Sequence, residues 1–454
     1  MIEAPAAAHP NAAVRALVDG LMSPYDFRAH LREVGTPLID PVKDPDPAAR
    51  IAAGQAPLVN VTFVRDLAVP HSDIPAKVRS RAVDPGTRAA SGQTQTTVMT
   101  LIDRALPARS VFTDIPGTEL RVQTITMPAD LRFTYALIDL ADDGSAWLAD
   151  DVYNRVAQIG DPKLGRHIAE LPQAQSFEPV VRQALEQVRT DVETGAPVAP
   201  RLEEMTFDSR ILGNSRSVWV SPPPPEYAGP HPYLLLFDGV PDHSAPRLRD
   251  ALLAAELIRP VTIVLVDEAG LRDSELTAND SFTRALAEEL LPLLRERFDL
   301  STDPADAALS GKSLGGLCAA VTALDRPDLF GNAIMHSPSA WYQRQAELLP
   351  GVPRAQHGQG AGQGEPELFL VERFRRAGTE AAAGAPRVRV YQECGDQELG
   401  PPPAHAWQIL ANRWLHQTIV AAGFETEYHE FRGGHDAAWW DGTRARTLIW
   451  AFGV

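Results

Sequence analysis

Apolar and polar residues alternate along the first part of the chain, from Leu58 to about Leu140. The strand-like segments are Val59-Asn60-Val61-Thr62-Phe63-Val64, Leu120-Arg121-Val122-Gln123-Thr124-Ile125 and Arg132-Phe133-Thr134-Tyr135-Ala136-Leu137. They are rich in β-branched and aromatic residues and are separated by Pro, Gly and Asp. Little helical periodicity intervenes, so the pattern predicts an all-β, immunoglobulin-like sandwich. A helix-prone segment over about 11–34 precedes it, and a polar, helix-compatible stretch over 178–193 follows. Gly195-Ala196-Pro197 then begins a linker. The chain is expected to divide into an N-terminal β domain over 1–200 and a second domain over 201–454.

From about Ser209 the pattern changes, and strands alternate with helices. Val218-Trp219-Val220 and Tyr233-Leu234-Leu235-Leu236-Phe237 flank Pro222 to Pro225 and are expected to form a hairpin. Val261 to Val266 is a continuous apolar run, as suits a strand buried on both faces. Ser281 to Phe298 has strong helical periodicity. Further strands are expected over 332–335, 387–392 and 427–431, with a helix over about 404–422. This βαβ succession predicts an α/β domain with a parallel sheet. The Gly/Gln-rich piece 356–364 is expected to be a loop, and there is no internal repeat.

Composition narrows the function classes. The chain has 454 residues, enough for two or three cores, and 44% hydrophobic content, normal for a soluble globular protein. A formal net charge of -17 argues against general nucleic-acid binding. It also means that an anionic ligand would need a local cluster of Lys or Arg. With Cys318 and Cys394 as its cysteines, the chain is not expected to carry a disulfide framework, and a reducing cytoplasm is the simpler expectation. The first ten residues have no basic and apolar pattern of a signal peptide, and no run approaches a membrane span.

The chemistry starts at Gly311-Lys312-Ser313-Leu314-Gly315, a G-x-S-x-G pentapeptide. This pattern puts a serine on a tight strand-to-helix turn, where glycines let neighbouring elements pack close. Chance alone supplies roughly 0.1 such match in a chain of this length at ordinary glycine usage. Here Ala307-Ala308-Leu309 precedes it as a short strand, and Leu314, Leu317, Cys318, Val321 and Leu324 follow at helical spacing. A serine nucleophile needs a base, normally a histidine oriented by a carboxylate. In α/β-hydrolases the order along the chain is Ser, acid, His. The strand over 387–393 runs into Asp396 and Glu398, and the strand ending at Phe431 runs into Gly433-Gly434-His435. Ser313, one of the two carboxylates, and His435 thus fall in the required order at strand C-terminal ends, where such sheets bind ligands. His405, His416 and His429 fall on helix or strand surfaces, and none has metal-ligand spacing.

Several motifs together resemble the enterochelin (enterobactin) esterase family, ferric siderophore hydrolases of the esterase-D type. They are Asp238-Gly239, the segment Arg272 to Phe282, Gly311 to Leu317, Ser337-x-Ser339-x-Trp341 and Gly433 to Ala437. In the first half Gly35-Thr36-Pro37-Leu38, Val61-Thr62-Phe63, Leu131 to Tyr135, Gly160-Asp161-Pro162 and Leu171-Pro172 are similar to that family's N-terminal β-sandwich.

The resemblance implies a cytoplasmic enzyme that cleaves the ester bonds of a catecholate trilactone. Iron would enter only with the substrate, and the enzyme would need no cofactor or metal of its own. The partner would be a ferric siderophore or similar small ester, with the chain monomeric or dimeric. Ser313 would be the nucleophile, His435 the base and Glu398 the acid, with Asp396 the alternative. The Leu314 amide and the turn at Asp238-Gly239-Val240, with Gly239 as its centre, would make the oxyanion hole. Arg272 would face anionic catecholate or carboxyl groups, with Glu275 fixing its fork. Lys312 adds positive potential or points to solvent, and Trp341 stacks on a catechol ring or packs in the core. The acidic chain would then need a basic rim drawn from Arg272, Lys312 and Arg432.

Overall fold

The structure is a computed structural model that describes residues 9–42, 47–75, 95–100, 112–141, 145–156, 167–177, 179, 182–183, 200–240, 244–342, 368–382, 384, 386–398 and 408–454. The linker at Gly195, the motif at Gly160, the loop over 356–364, His405 and most of 178–193 lie outside these. The chain falls into two compact units. One comprises Met1–Ser176 with Arg432–Trp439; the other comprises Phe177–Phe431 with Trp440–Val454.

The first unit opens with helices Ala12–Val18 and Pro24–Val34, where the helix-prone segment was expected. Asn11 and Ser23 cap them by accepting the N–H groups of Val14 and Asp26, which explains the break between them. The strands follow as β1 (Leu38–Pro41), β2 (Leu58–Asp66), β3 (His71–Pro75), β4 (Gln95–Thr100), β5 (Thr113–Asp114), β6 (Leu120–Pro128), β7 (Arg132–Leu140), β8 (Ala146–Ala149) and β9 (His167–Glu170). One antiparallel sheet runs β1-β2-β6-β5; the other runs β3-β8-β7-β4, with β9 also on β7. Val61 and Phe63 of β2, Ile125 and Met127 of β6, and Phe133, Tyr135 and Leu137 of β7 share one apolar cluster. A buried ion pair also joins the sheets: Arg65 of β2 meets Asp139 of β7 at 2.7 Å, with Thr96 donating to the same carboxylate at 2.7 Å.

The second unit is built on β10 (Glu203–Ser209), β11 (Asn214–Ser221), β12 (Tyr233–Leu236), β13 (Thr262–Val266), β14 (Ala307–Lys312), β15 (Asn332–His336), β16 (Arg389–Gly395) and β17 (Thr426–Phe431). They form one eight-stranded sheet in the order β10-β11-β13-β12-β14-β15-β16-β17. From β13 to β17 all neighbours are parallel, while β10 and β11 are antiparallel additions. This is the doubly wound α/β-hydrolase arrangement, and β14 is its central strand.

The expected hairpin between β11 and the strand at Tyr233 does not form. β11 pairs instead with β10, through a turn at Arg210–Gly213, and with β13 on its other side. The proline run after β11 cannot supply a tight hairpin turn, and the fully buried β13 takes the position between β11 and β12. Strand β10 is visible in retrospect, because Met205, Phe207 and Ser209 are buried alternately with exposed neighbours. The helix expected over 281–298 is Asp280–Arg297, interrupted by a π turn over Leu286–Leu290 immediately before Pro292, whose missing N–H breaks the regular ladder. Cys318 and Cys394 are free and buried. Burial pushes the Cys318 thiol up to about 12 and that of Cys394 well above its ordinary value, so both are inert packing residues.

The Arg65–Asp139 pair is taken out of water, so removing one partner strands the other. Arg65→Met is expected to destabilise the first unit by about 3–5 kcal/mol, read as a lower urea midpoint; a loss under about 1 kcal/mol would mean that the sheets do not depend on the pair.

Candidate active site

Ser313 sits between β14 and the helix Leu314–Asp325 with φ 57 and ψ -116. A non-glycine residue in this conformation is strained, and the surrounding contacts hold it there. A Cβ on Gly311 would lie 2.3 Å from the carbonyl carbon of Gly315, so the strand end and the helix start touch through glycine backbone. A Cβ on Gly316 would meet Pro338 at 3.1 Å. The Ser313 N–H donates to the His336 carbonyl at 3.0 Å, and the Ser339 N–H donates to the Ser313 carbonyl at 3.0 Å. The turn is thereby sewn to the end of β15. The hydroxyls of Ser313 and Ser339 are 3.3 Å apart.

The two candidate acids differ in setting. Glu398 is 1% exposed, and its Oε1 accepts the Ser337 hydroxyl at 2.5 Å and the Gly395 N–H at 2.8 Å. The Trp440 indole N–H donates to the same Ser337 hydroxyl at 3.0 Å. Asp396 is half-buried and accepts the Gln397 amide at 3.1 Å. Glu398 is therefore the buried, braced carboxylate and Asp396 the more solvated one. His435 is half-buried in the turn between β17 and the final helix Ala437–Phe452, within the segment that belongs to the first unit.

The charged residues are arranged otherwise than the sequence suggests. Arg272 does not pair with Glu275. Its fork holds Asp238, with Nε and Nη2 donating at 2.6 and 2.9 Å, and Nη2 also reaches the Lys312 carbonyl at 3.4 Å. Glu275 turns inward, is 4% exposed, and takes both arms of the buried Arg216 at 2.7 Å each, with Asn214 donating at 3.1 Å. Arg272 and Glu275 are the two ends of a single-turn helix and take different partners, Asp238 and Arg216. Glu275 is thus part of the interior and not of a binding surface.

Lys312 is bonded to Asp441 at 2.9 Å and lies 5.6 Å from the centre of the Trp440 ring. Burial works against ionisation of Asp441, but Lys312 and Arg444 hold its carboxyl below the usual carboxylate range. Arg432 is forked onto Asp130 at 2.7 and 3.2 Å within the first unit. Each cation expected to form a basic rim therefore already holds a carboxylate. Trp341 is partly buried against the large apolar cluster of the second unit, as a packing residue would be.

Gly239 does not offer its N–H to a ligand: that group donates to the Val266 carbonyl at 2.9 Å. A Cβ there would lie 2.5 Å from the Val266 nitrogen, which is why the position is glycine. Asp238, just before it, has φ 56. Its carboxylate lies beside Glu268, whose pKa is raised to about 7 by burial first and by hydrogen bonding to Asp238 second. Sequence reasoning missed Asp238 as the partner of Arg272, and it missed the buried pair of His336 Nδ1 and Glu393 Oε1, 2.5 Å apart across β15 and β16. The trace of that pair in the sequence is slight: His336 closes β15, and Glu393 lies inside β16 beside another polar residue, Gln392.

Among the described residues there is no cluster of His, Cys, Asp and Glu able to hold a metal ion, and no helix is long and apolar enough to cross a membrane.

The chain is similar to known proteins over most of its length. The Esterase family model matches residues 209–450, more than half of the chain. An iron(III) enterobactin esterase of Dickeya dadantii is 26% identical over 371 residues, covering 72% of this chain and 76% of that protein. An iron(III) salmochelin esterase of Escherichia coli is 26% identical over 361 residues, covering 75% of this chain and 79% of that one. Among solved structures, the ferric enterobactin esterase of Salmonella typhimurium superposes with a TM-score of 0.64 at 21% identity, over 94% of this chain and 98% of that one. The enterobactin esterase of Shigella flexneri, solved in the presence of enterobactin, gives a TM-score of 0.63 at 22% identity, over 87% and 93%. The fold agrees with these likenesses, and the chain belongs to the Esterase family, as a carboxylic-ester hydrolase of the enterochelin esterase type.

Proposed function

We propose that the protein is a serine esterase that opens the ester (lactone) bonds of a ferric catecholate-type siderophore and so releases iron in the cytoplasm. The observation that carries the chemistry is the Ser313 turn: a serine at φ 57, at the C-terminal end of the central strand β14, with a helix starting behind it. The substrate class comes from the relatives, whose names specify iron(III) enterobactin and salmochelin.

In this reading His435 takes the Ser313 proton as Oγ attacks the ester carbonyl, and Glu398 orients and stabilises the resulting imidazolium. The alcohol leaves with the proton from His435, and water, deprotonated by the same base, hydrolyses the acyl-enzyme. The Leu314 N–H, first of its helix, faces the developing oxyanion. Since the Gly239 N–H is engaged, the second donor passes to Val240, the next residue of the strained turn. Arg272 positions that turn, because its guanidinium ties Asp238 to the Lys312 carbonyl beside the nucleophile. The two antiparallel sheets of the first unit, joined by one apolar cluster, support its reading as an immunoglobulin-like sandwich.

One observation favours a second reading, a general carboxylesterase of the same fold. Arg272, Lys312 and Arg432 are each already paired with a carboxylate, which leaves less positive charge for a trianionic ferric catecholate. Product analysis by mass spectrometry with iron-loaded trilactones, iron-free trilactones and simple aryl esters separates the two: preference for the simple esters would overturn the siderophore assignment.

Ser313→Ala is expected to abolish hydrolysis while leaving the unfolding midpoint near that of the wild type; retained turnover would remove Ser313 from the mechanism. Glu398→Gln should lower kcat by about 100-fold or more, whereas Asp396→Asn should leave it within about threefold, and the reverse order would exchange their roles.

Glu268 gives a stability prediction with a definite sign. Its folded pKa lies near 7, above the ordinary value of 4.5, so the folded state binds more protons across that window. Stability should therefore fall as pH rises from 4.5 to about 7, and a thermal-melt series should show Glu268→Gln losing that part of the slope.

A further inference from the structure

His435 stands inside Arg432–Trp439, a segment that packs as part of the first unit although it lies between β17 and the last helix along the chain. Its neighbours on both sides are fastened to residues 130–134, the entry into β7. Arg432 forks onto Asp130. Asp436, fully buried, uses Oδ2 to accept the Thr134 main-chain N–H at 2.6 Å. The Trp439 indole N–H donates to the Arg132 carbonyl at 3.0 Å, and the Arg132 guanidinium lies 5.1 Å from the centre of the Trp439 ring. A Cβ on Gly433 would sit 2.2 Å from the Trp439 indole nitrogen and 3.2 Å from the Arg132 carbonyl oxygen, so the chain is pressed against both. The other oxygen of Asp436 accepts the Ala438 N–H at 2.9 Å and so opens the final helix.

These contacts have a common effect. Two adjacent glycines just before His435 leave that stretch of backbone free to take many conformations. General-base catalysis tolerates little of that freedom, since a displacement of about 1 Å can cost on the order of 100-fold in rate. A buried carboxylate accepting main-chain N–H groups is among the stronger anchors a protein can build.

We propose that residues 130–134 of the first unit are the positioning element for the catalytic base, with Asp436 and Trp439 as the positioning residues that fix the His435 turn on β7. The inference rests on the reading of His435 as the base.

Two substitutions separate positioning from folding. Trp439→Phe keeps an aromatic ring but removes the indole N–H together with part of the buried bicycle, so its rate is read where the unfolding midpoint shows it fully folded. Asp436→Ser keeps a cap for the Ala438 N–H but is too short to hold Thr134 as well. Initial rates on a p-nitrophenyl ester give kcat and KM, a fluorophosphonate probe gives the labelling rate of Ser313, and His435→Ala is the reference. The expected result is a loss of about 10–100-fold in kcat for Asp436→Ser, and a smaller loss for Trp439→Phe. KM should stay within about twofold, the unfolding midpoints should stay close to wild type, and the labelling rate should fall in proportion to kcat.

Wild-type kcat in both variants beside an inactive His435→Ala would overturn the positioning role and leave the base assignment standing. An active His435→Ala would overturn the base assignment and the proposal with it. Should Asp436→Ser fail to fold, Trp439→Phe decides alone.

Discussion

The second unit depends on a contact in which no side chain takes part. At the end of β14 the backbone of Gly311 lies against that of Gly315, the second residue of the next helix, with no room for a single added carbon. This contact forces the chain through a left-handed residue, and that residue is Ser313. The parallel strands on either side then bring their C-terminal ends to the same edge: the Asp238 turn from β12, the Ser337 turn from β15 and Glu398 from beyond β16. Asp238 and Ser337, like Ser313, are non-glycine residues at positive φ. Strain at these three positions thus lies along the edge that carries the proposed site, and the apolar sheet beneath supplies the stability that permits it.

Charge around that edge is organised in closed pairs. Arg272 holds Asp238, Arg216 holds Glu275 and Lys312 holds Asp441. Each pair joins segments far apart in sequence, and Arg216–Glu275 is fully withdrawn from water. Such pairs add little net stability compared with apolar packing, but once buried they penalise any arrangement that separates them. They therefore define the loop geometry more than they strengthen it. An anionic ligand entering here competes with carboxylates for the same guanidinium and ammonium groups, so its recognition depends on displacing or sharing these partners.

The legible part of the sequence was what local physics determines. The pentapeptide at Ser313 could be read because only glycine fits the crossing, and β13 because a strand covered on both faces reads as a nearly unbroken apolar run, with Thr262 its one polar residue. Glu398 and His435 could be placed at strand ends from chain order. The hairpin expectation failed because strand pairing is non-local: what lies beside β11 is decided by β13, a whole helix later in the chain. The Arg272–Glu275 pairing failed for a related reason. Residues close in sequence looked like partners, but Glu275 is buried against Arg216 while the Arg272 fork is held by Asp238, both partners distant in sequence. The engaged N–H of Gly239 was equally hidden, since a backbone donor leaves no mark in residue identity.

The membership of Arg432–Trp439 in the first unit bears on how such chains can be recombined. The two units are not simple beads joined by a linker: a short piece of the C-terminal sequence is structurally a guest of the N-terminal one. A chimaera that exchanges only the first 176 residues with a relative would pair foreign residues at 130–134 with a native Asp436 and Trp439. Recombination that respects the structure must carry both pieces together. The same requirement ties substitutions near residue 132 to compensating ones some three hundred positions later, as the separation of 302 between Thr134 and Asp436 makes concrete.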